Sequence, residues 1–185
     1  MYPGIGWLIF RSPDSLPDDL VFYEDYLGKR DATFTLNFST GSAMVLAQYF
    51  NFVRFGRAGY EFLMKMMQAN AERLGERIKG IGPFEMIGSG EQLPLVAFKL
   101  TGDQPYDEFD VASQLAAERG WMVPAYHLPP NAQDVKLMRA LVKLTLTHSL
   151  AEKLAEDMAS ACETLERKGG VDPAERKRVH TATGY

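Results

Sequence analysis

Gly80-Ile-Gly-Pro-Phe-Glu-Met-Ile-Gly-Ser-Gly-Glu-Gln-Leu-Pro-Leu-Val-Ala-Phe-Lys-Leu100 is where the chain changes alphabet. Long helical periodicities precede it. From it onward, short elements bounded by glycine and proline take over, with strands expected at Phe84–Ile87 and Leu95–Leu100. Glu108–Arg119 follows as a helix closed by Gly120, and Trp121–Tyr126 and Leu137–Leu144 read as two more strands. Ser149-Leu-Ala-Glu152 matches a capping box, after which Leu150, Leu154, Met158, Ala161 and Leu165 form the inner stripe of a final helix. The fold class is therefore α/β, as a small α+β unit. An antiparallel sheet from segments near 84–88, 95–100, 121–126 and 137–144 is expected, with helices 108–119 and 148–167 against one face.

Upstream, residues 43–55 and 57–79 read as helix, with Gly56 and Gly59 as the break. Tyr60, Leu63, Met64, Met67, Ala71, Leu74 and Ile78 fall on one face. Thr33–Phe38 alternates as a strand does, and Ser39-Thr-Gly-Ser42 supplies small, hydrogen-bonding residues for a helix start. Gly6-Trp-Leu-Ile-Phe10 is a short apolar run that predicts a mostly buried strand. Between them, Ser12–Asp31 is a long polar loop with an aromatic payload, read with equal weight as a functional lid or as a partly helical loop packed on its own chain.

The 185 residues are 46% hydrophobic and 24% charged, enough for one or two cores. No apolar run approaches the roughly 20 residues that cross a bilayer, and Met1-Tyr-Pro-Gly4 does not open a signal peptide, so a soluble, cytoplasmic protein with no membrane partner is expected. Cys162 is the lone cysteine and no Cys/His cluster has zinc spacing, so no metal is expected. Net charge is −4 and the 20 basic residues are scattered, which argues against a nucleic-acid partner. No nucleophile elbow, phosphate loop or dinucleotide turn occurs, and His127, His148 and His180 have no evident Ser or Cys partner. The residue chemistry taken alone stops at an α/β unit with a long aromatic loop.

Seven blocks in order carry a more specific resemblance: Tyr2–Arg11, Leu20–Gly28, Thr33–Ser39, Ala47–Phe50, Pro94–Phe98, Gly120–Tyr126 and Leu137–Arg139. Across roughly residues 2–165 the chain resembles the C-terminal portion of the glutamate decarboxylases, which belong to the pyridoxal-phosphate-dependent group II decarboxylases of fold type I. That resemblance divides the chain into a remnant of the large cofactor-binding domain with an active-site loop (1–41), a connecting helix region (42–80), a small domain (81–168) and a flexible tail (169–185). It implies decarboxylation of L-glutamate to 4-aminobutanoate and carbon dioxide, with pyridoxal 5'-phosphate in the intact enzyme and a homo-oligomer, at least a dimer. It also implies that the fragment alone is inactive. The family lysine that anchors the cofactor follows a histidine, and none of the nine lysines here does.

The resemblance places Arg139 at the substrate carboxylate, a role that suits the two-donor fork of a guanidinium. A surface or partner-chain salt bridge is the plain alternative. Ser39 matches a serine reaching the cofactor phosphate of the neighbouring subunit, although it could equally cap the following helix, and Phe38 would line the same mouth. Tyr26 sits where a side chain closes over the partner's site and could donate a proton at Cα; local packing of a loop aromatic is the alternative. His180, with Thr181, matches a bacterial ending in which histidine plugs the active site. Two other functions stay open: decarboxylation of a different amino acid, or a non-catalytic domain acting in protein association. Self-association through Leu20, Val21, Phe22, Tyr26 and the segment around 33–55 is expected.

Overall fold

The computed structural model describes residues 4–25, 28, 30–33, 41–88 and 90–170. The chain divides into two compact units, Met1–Gly59 and Tyr60–Tyr185. None of the described helices is long and apolar enough to cross a membrane.

In the first unit, Pro13–Ser15 and Asp18–Leu20 form 3-10 turns, and β1 (Phe22–Glu24) pairs antiparallel with β2 (Asp31–Thr33). The long loop read from the sequence thus carries short structure of its own. Gly6–Phe10, expected as a mostly buried strand, is neither strand nor buried: Ile5–Phe10 is irregular, with Leu8 and Ile9 80% and 86% exposed. An apolar run becomes a strand only when a neighbour completes its hydrogen-bond ladder, and no described segment does so. Of the strand expected over Thr33–Phe38, Thr33 closes β2 and residues 34–38 lie outside the described residues.

Helix α1 spans Ala43–Gly80, and the Leu46 amide donates to the Ser42 carbonyl at 3.0 Å, which starts the ladder. The expected break falls on Gly56, whose φ of 54° and ψ of −168° only a residue without Cβ adopts readily. Gly59 remains helical, and a Cβ there would stand 2.9 Å from that of Phe55.

The second unit is the helix-backed antiparallel sheet the sequence leads one to expect. Strands β3 (Phe84–Gly88), β4 (Leu95–Leu100), β5 (Ala125–His127) and β6 (Lys136–Leu141) assemble in the order β3-β4-β6-β5. Phe84, Val96, Phe98, Met138 and Ala140 turn one face inward. There they meet Ala71, Leu74 and Ile78 of α1, Val111 and Leu115 of α2 (Glu108–Arg119), and Leu154, Met158 and Leu165 of α3 (His148–Lys168) in one cluster. The Phe84 and Phe98 rings meet edge to face at 5.4 Å. Both sheet edges are interrupted: β3 carries a bulge between Met86 and Gly88, and β5 is three residues long.

Three boundaries differ from the sequence reading. The strand expected at Trp121–Tyr126 begins only at Ala125, because Pro124 has no amide to give a ladder and Trp121 is drawn to α3. The strand expected to Leu144 stops at Leu141, and the chain turns at 144–145. The α3 cap is Thr147 rather than Ser149: its hydroxyl accepts from the Leu150 amide at 3.3 Å, while Glu152 pairs with Arg77 of α1 at 2.8 Å. Asp107 does form a capping box for α2, with Asp110 reciprocating, and it also holds Lys136 of β6 at 2.8 Å. At the β3–β4 connection Gly90, at φ 84°, packs so closely on Ala71 that a Cβ would come within 3.1 Å.

Truncating Phe98 to Ala should lower stability by about 3–5 kcal/mol, whereas Met122→Ala should change it by less than about 0.5 kcal/mol. Met122 is 84% exposed, whereas Phe98 is fully buried. Urea denaturation followed by circular dichroism reads both.

Candidate functional site

Strand alternation sets the site. Met138 and Ala140 bury inward, so Arg139 projects from the opposite face of β6, where it is exposed although Leu137 on that face is buried. Its cross-strand neighbour on β4 is Ala97, which leaves room around the guanidinium, and its amide donates to the Pro124 carbonyl at 3.1 Å. Tyr126 pairs with Leu137 in the register of β5 and β6, which makes it the diagonal neighbour of Arg139 on that face. The guanidinium carbon lies 5.4 Å from the centre of the Tyr126 ring. No described carboxylate forms an ion pair with Arg139.

Behind this face, Trp121 is tied to a cluster of charges around the buried Asp157. The Trp121 indole donates to Asp157 Oδ2 at 2.8 Å, and Lys153 Nζ and Arg119 Nε approach Oδ1 at 3.0 and 3.5 Å. Burial alone would raise the Asp157 carboxyl. The indole hydrogen bond, then Lys153, then Arg119 outweigh it and hold the group below the ordinary carboxylate range. Farther along α3, burial first of all pushes the Cys162 thiol up to about 11 and also raises the Tyr106 phenol, whose hydroxyl donates to Glu166 at 3.4 Å.

Of the residues to which the resemblance gives a role at the active site, only Arg139 falls among those described. Tyr26, Phe38, Ser39 and His180 lie outside the described residues. His127 Nδ1 meets the Gln133 carbonyl at 2.9 Å and its ring stacks on Phe109, and His148 contacts Arg73, so both serve structure. Two participants escaped the sequence reading. Tyr126 counted there as one more strand residue, and only the register of β5 on β6 puts it beside Arg139. Asp157 lies on the inner face of α3 at the Leu154–Met158 stripe, and a carboxylate among those apolar positions was the available signal.

A groove of about 460 Å³ between α1 and β3 is lined by Glu72, Glu76 and Glu85 against Lys79, with Phe84 and Met86 as its apolar wall. Three carboxylates facing one ammonium repel a phosphate. Nor, among the described residues, does any group of His, Cys, Asp or Glu side chains stand ready for a metal ion.

A family profile described as the pyridoxal-dependent decarboxylase conserved domain matches residues 1–101. The chain is 41% identical over 166 residues to a glutamate decarboxylase of Petunia hybrida, covering 90% of this chain and 33% of that protein. It is 40% identical over 179 residues to the glutamate decarboxylase of Solanum lycopersicum, covering 97% of this chain and 36% of that one. The solved glutamate decarboxylase of Lactobacillus brevis superposes with a TM-score of 0.79 at 33% identity, over 85% of this chain and 36% of that structure. The chain thus spans about a third of the length of these relatives.

The Asp157 cluster should be visible in stability. A carboxyl held below its unfolded value, near about 3.9, stabilises the fold at higher pH and releases that stabilisation as pH falls through its lowered value. Asp157→Asn should therefore cost about 1–2 kcal/mol at neutral pH, because the amide can still accept from the indole but without the charge that strengthens that bond and pairs with Lys153 and Arg119, whose own ends reach solvent. Urea midpoints of variant and parent should converge as pH falls; a difference that persists unchanged into acid would assign the effect to packing. Cys162 should resist neutral-pH alkylation until the chain unfolds, as thiol quantification with and without denaturant would read.

Proposed function

This chain belongs to the pyridoxal-dependent decarboxylase family, and from that premise we propose that it forms the C-terminal portion of a glutamate decarboxylase, a lyase that converts L-glutamate to 4-aminobutanoate and carbon dioxide. Identity near 40% to proteins of that name over nine-tenths of the chain supports the substrate assignment. The observation that carries the role of the unit is Arg139, an exposed arginine on the outer face of the sheet with no described carboxylate to neutralise it. A guanidinium so placed is available to grip a substrate carboxylate through two parallel N–H donors.

Pyridoxal phosphate supplies the electron sink of the family's chemistry when bound. Its anchoring amine belongs outside these residues, since no lysine here follows a histidine. Tyr26, Ser39 and Phe38 keep the roles the family resemblance implies, at a neighbouring subunit's site. Assembly as at least a homodimer is part of this reading. Val45, Leu46, Tyr49, Phe50 and Val53, on the first turns of α1, are each more than half exposed, a density of apolar surface that a free monomer seldom shows.

Exchanging the corresponding third of the Lactobacillus brevis enzyme for this chain tests the proposal. Glutamate-dependent carbon dioxide release is expected. Arg139→Ala should lower kcat/KM by about 100-fold, and Arg139→Lys should fall between, because a lysine keeps the charge and loses the fork. A folded chimera that binds pyridoxal phosphate and decarboxylates another amino acid but not glutamate would overturn the substrate assignment.

A further inference from the structure

We propose that Tyr126 is a positioning residue for Arg139: its ring is a shelf that orients the guanidinium without neutralising it. Three observations converge on this role. The register of β5 on β6 pairs Tyr126 with Leu137, so Tyr126 and Arg139 are diagonal neighbours on the outer face. That separation is within the reach of an aromatic and a long side chain. The guanidinium carbon sits 5.4 Å from the ring centre, within the range of cation–π attraction. Finally, the short strand that carries the ring is fixed at both ends. On one side the Trp121 indole is tied to Asp157 at 2.8 Å; on the other, His127 Nδ1 meets the Gln133 carbonyl at 2.9 Å and the Leu128 amide donates to Val135 at 3.0 Å.

The chemistry favours an aromatic in this place. An exposed arginine with no partner samples many rotamers, and each must be abandoned when a ligand is gripped. An aspartate or glutamate would also hold it still, but would occupy the N–H fork and cancel the charge. A ring attracts the flat face of the guanidinium and leaves the in-plane N–H groups pointing outward, ready for a carboxylate. Tyr126 therefore acts through Arg139 and need not touch the substrate. This assignment rests on the reading of Arg139 as the carboxylate-binding arginine, and the test separates the two.

Two measurements make the test. In NMR spectra of the full 185-residue chain, ring current should shift the Arg139 side-chain resonances upfield; Tyr126→Phe should keep the shift, and Tyr126→Leu or the strand-favouring Tyr126→Val should abolish it. The Trp121 indole resonance serves as the control for an intact fold. In the chimeric enzyme, Tyr126→Leu should raise KM for glutamate by about 3- to 30-fold, from the usual strength of a cation–π contact, with kcat nearly unchanged, and Tyr126→Phe should recover the parent KM. Arg139 resonances and KM that do not respond to Tyr126→Leu or Tyr126→Val would overturn the shelf. A KM that ignores Arg139→Ala, while Tyr126 variants still move the Arg139 resonances, would instead overturn the carboxylate reading and support the shelf.

Discussion

Alternation along β6 is the constraint on which the second unit depends. Burying Met138 and Ala140 against three helices obliges Arg139 to leave by the other side, and the hydrophobic gain of the inner face makes that choice stiff: a slip of one residue would drive a guanidinium into the core. The position of the charge is thus fixed by apolar neighbours that never touch it. Residues of α1, α2 and α3 belong to the inner cluster, and the opposite face of β6 carries Arg139 beside Tyr126 of β5.

Much of this second unit was legible in the sequence. The switch to short elements at Gly80, the helix of 108–119 and its glycine stop, and the inner stripe of α3 from Leu154 to Leu165 are local patterns with local physical causes, and the structure has them; Leu150, expected in that stripe, is exposed in the first turn instead. The antiparallel sheet followed, because four short strands next to two amphipathic helices have few ways to hide an apolar face. The boundaries were less visible. Thr147 and Ser149 are both acceptable caps by type; Glu152 decides between them through its bond to Arg77, 75 residues away in sequence, which no local window contains. Trp121 has good strand propensity, yet its indole finds Asp157, and a hydrogen bond to a buried carboxylate outweighs propensity.

The first unit shows the other limit of pattern reading. Ile5–Phe10 has the composition of a buried strand, but composition states only that the segment would be stable if covered; it does not provide the cover. Gly56 was legible because a backbone at positive φ selects glycine directly. At the candidate site the same distinction applies. Arg139 stood out by resemblance, whereas Tyr126, 13 residues before it, became its neighbour only through the pairing of β5 with β6.

The interrupted sheet margins bear on how copies of this chain can meet. A straight, long border strand invites another molecule to continue the ladder, which is the route to runaway aggregation. Here one border is kinked between Met86 and Gly88 and the other is only three residues long, flanked by Pro124 and by Pro129 and Pro130. Recruitment by backbone is blunted on both sides. Association then has to proceed by side-chain fit, a closed and countable form of assembly, and the exposed apolar helix of the first unit is where such a fit has the most surface to cover.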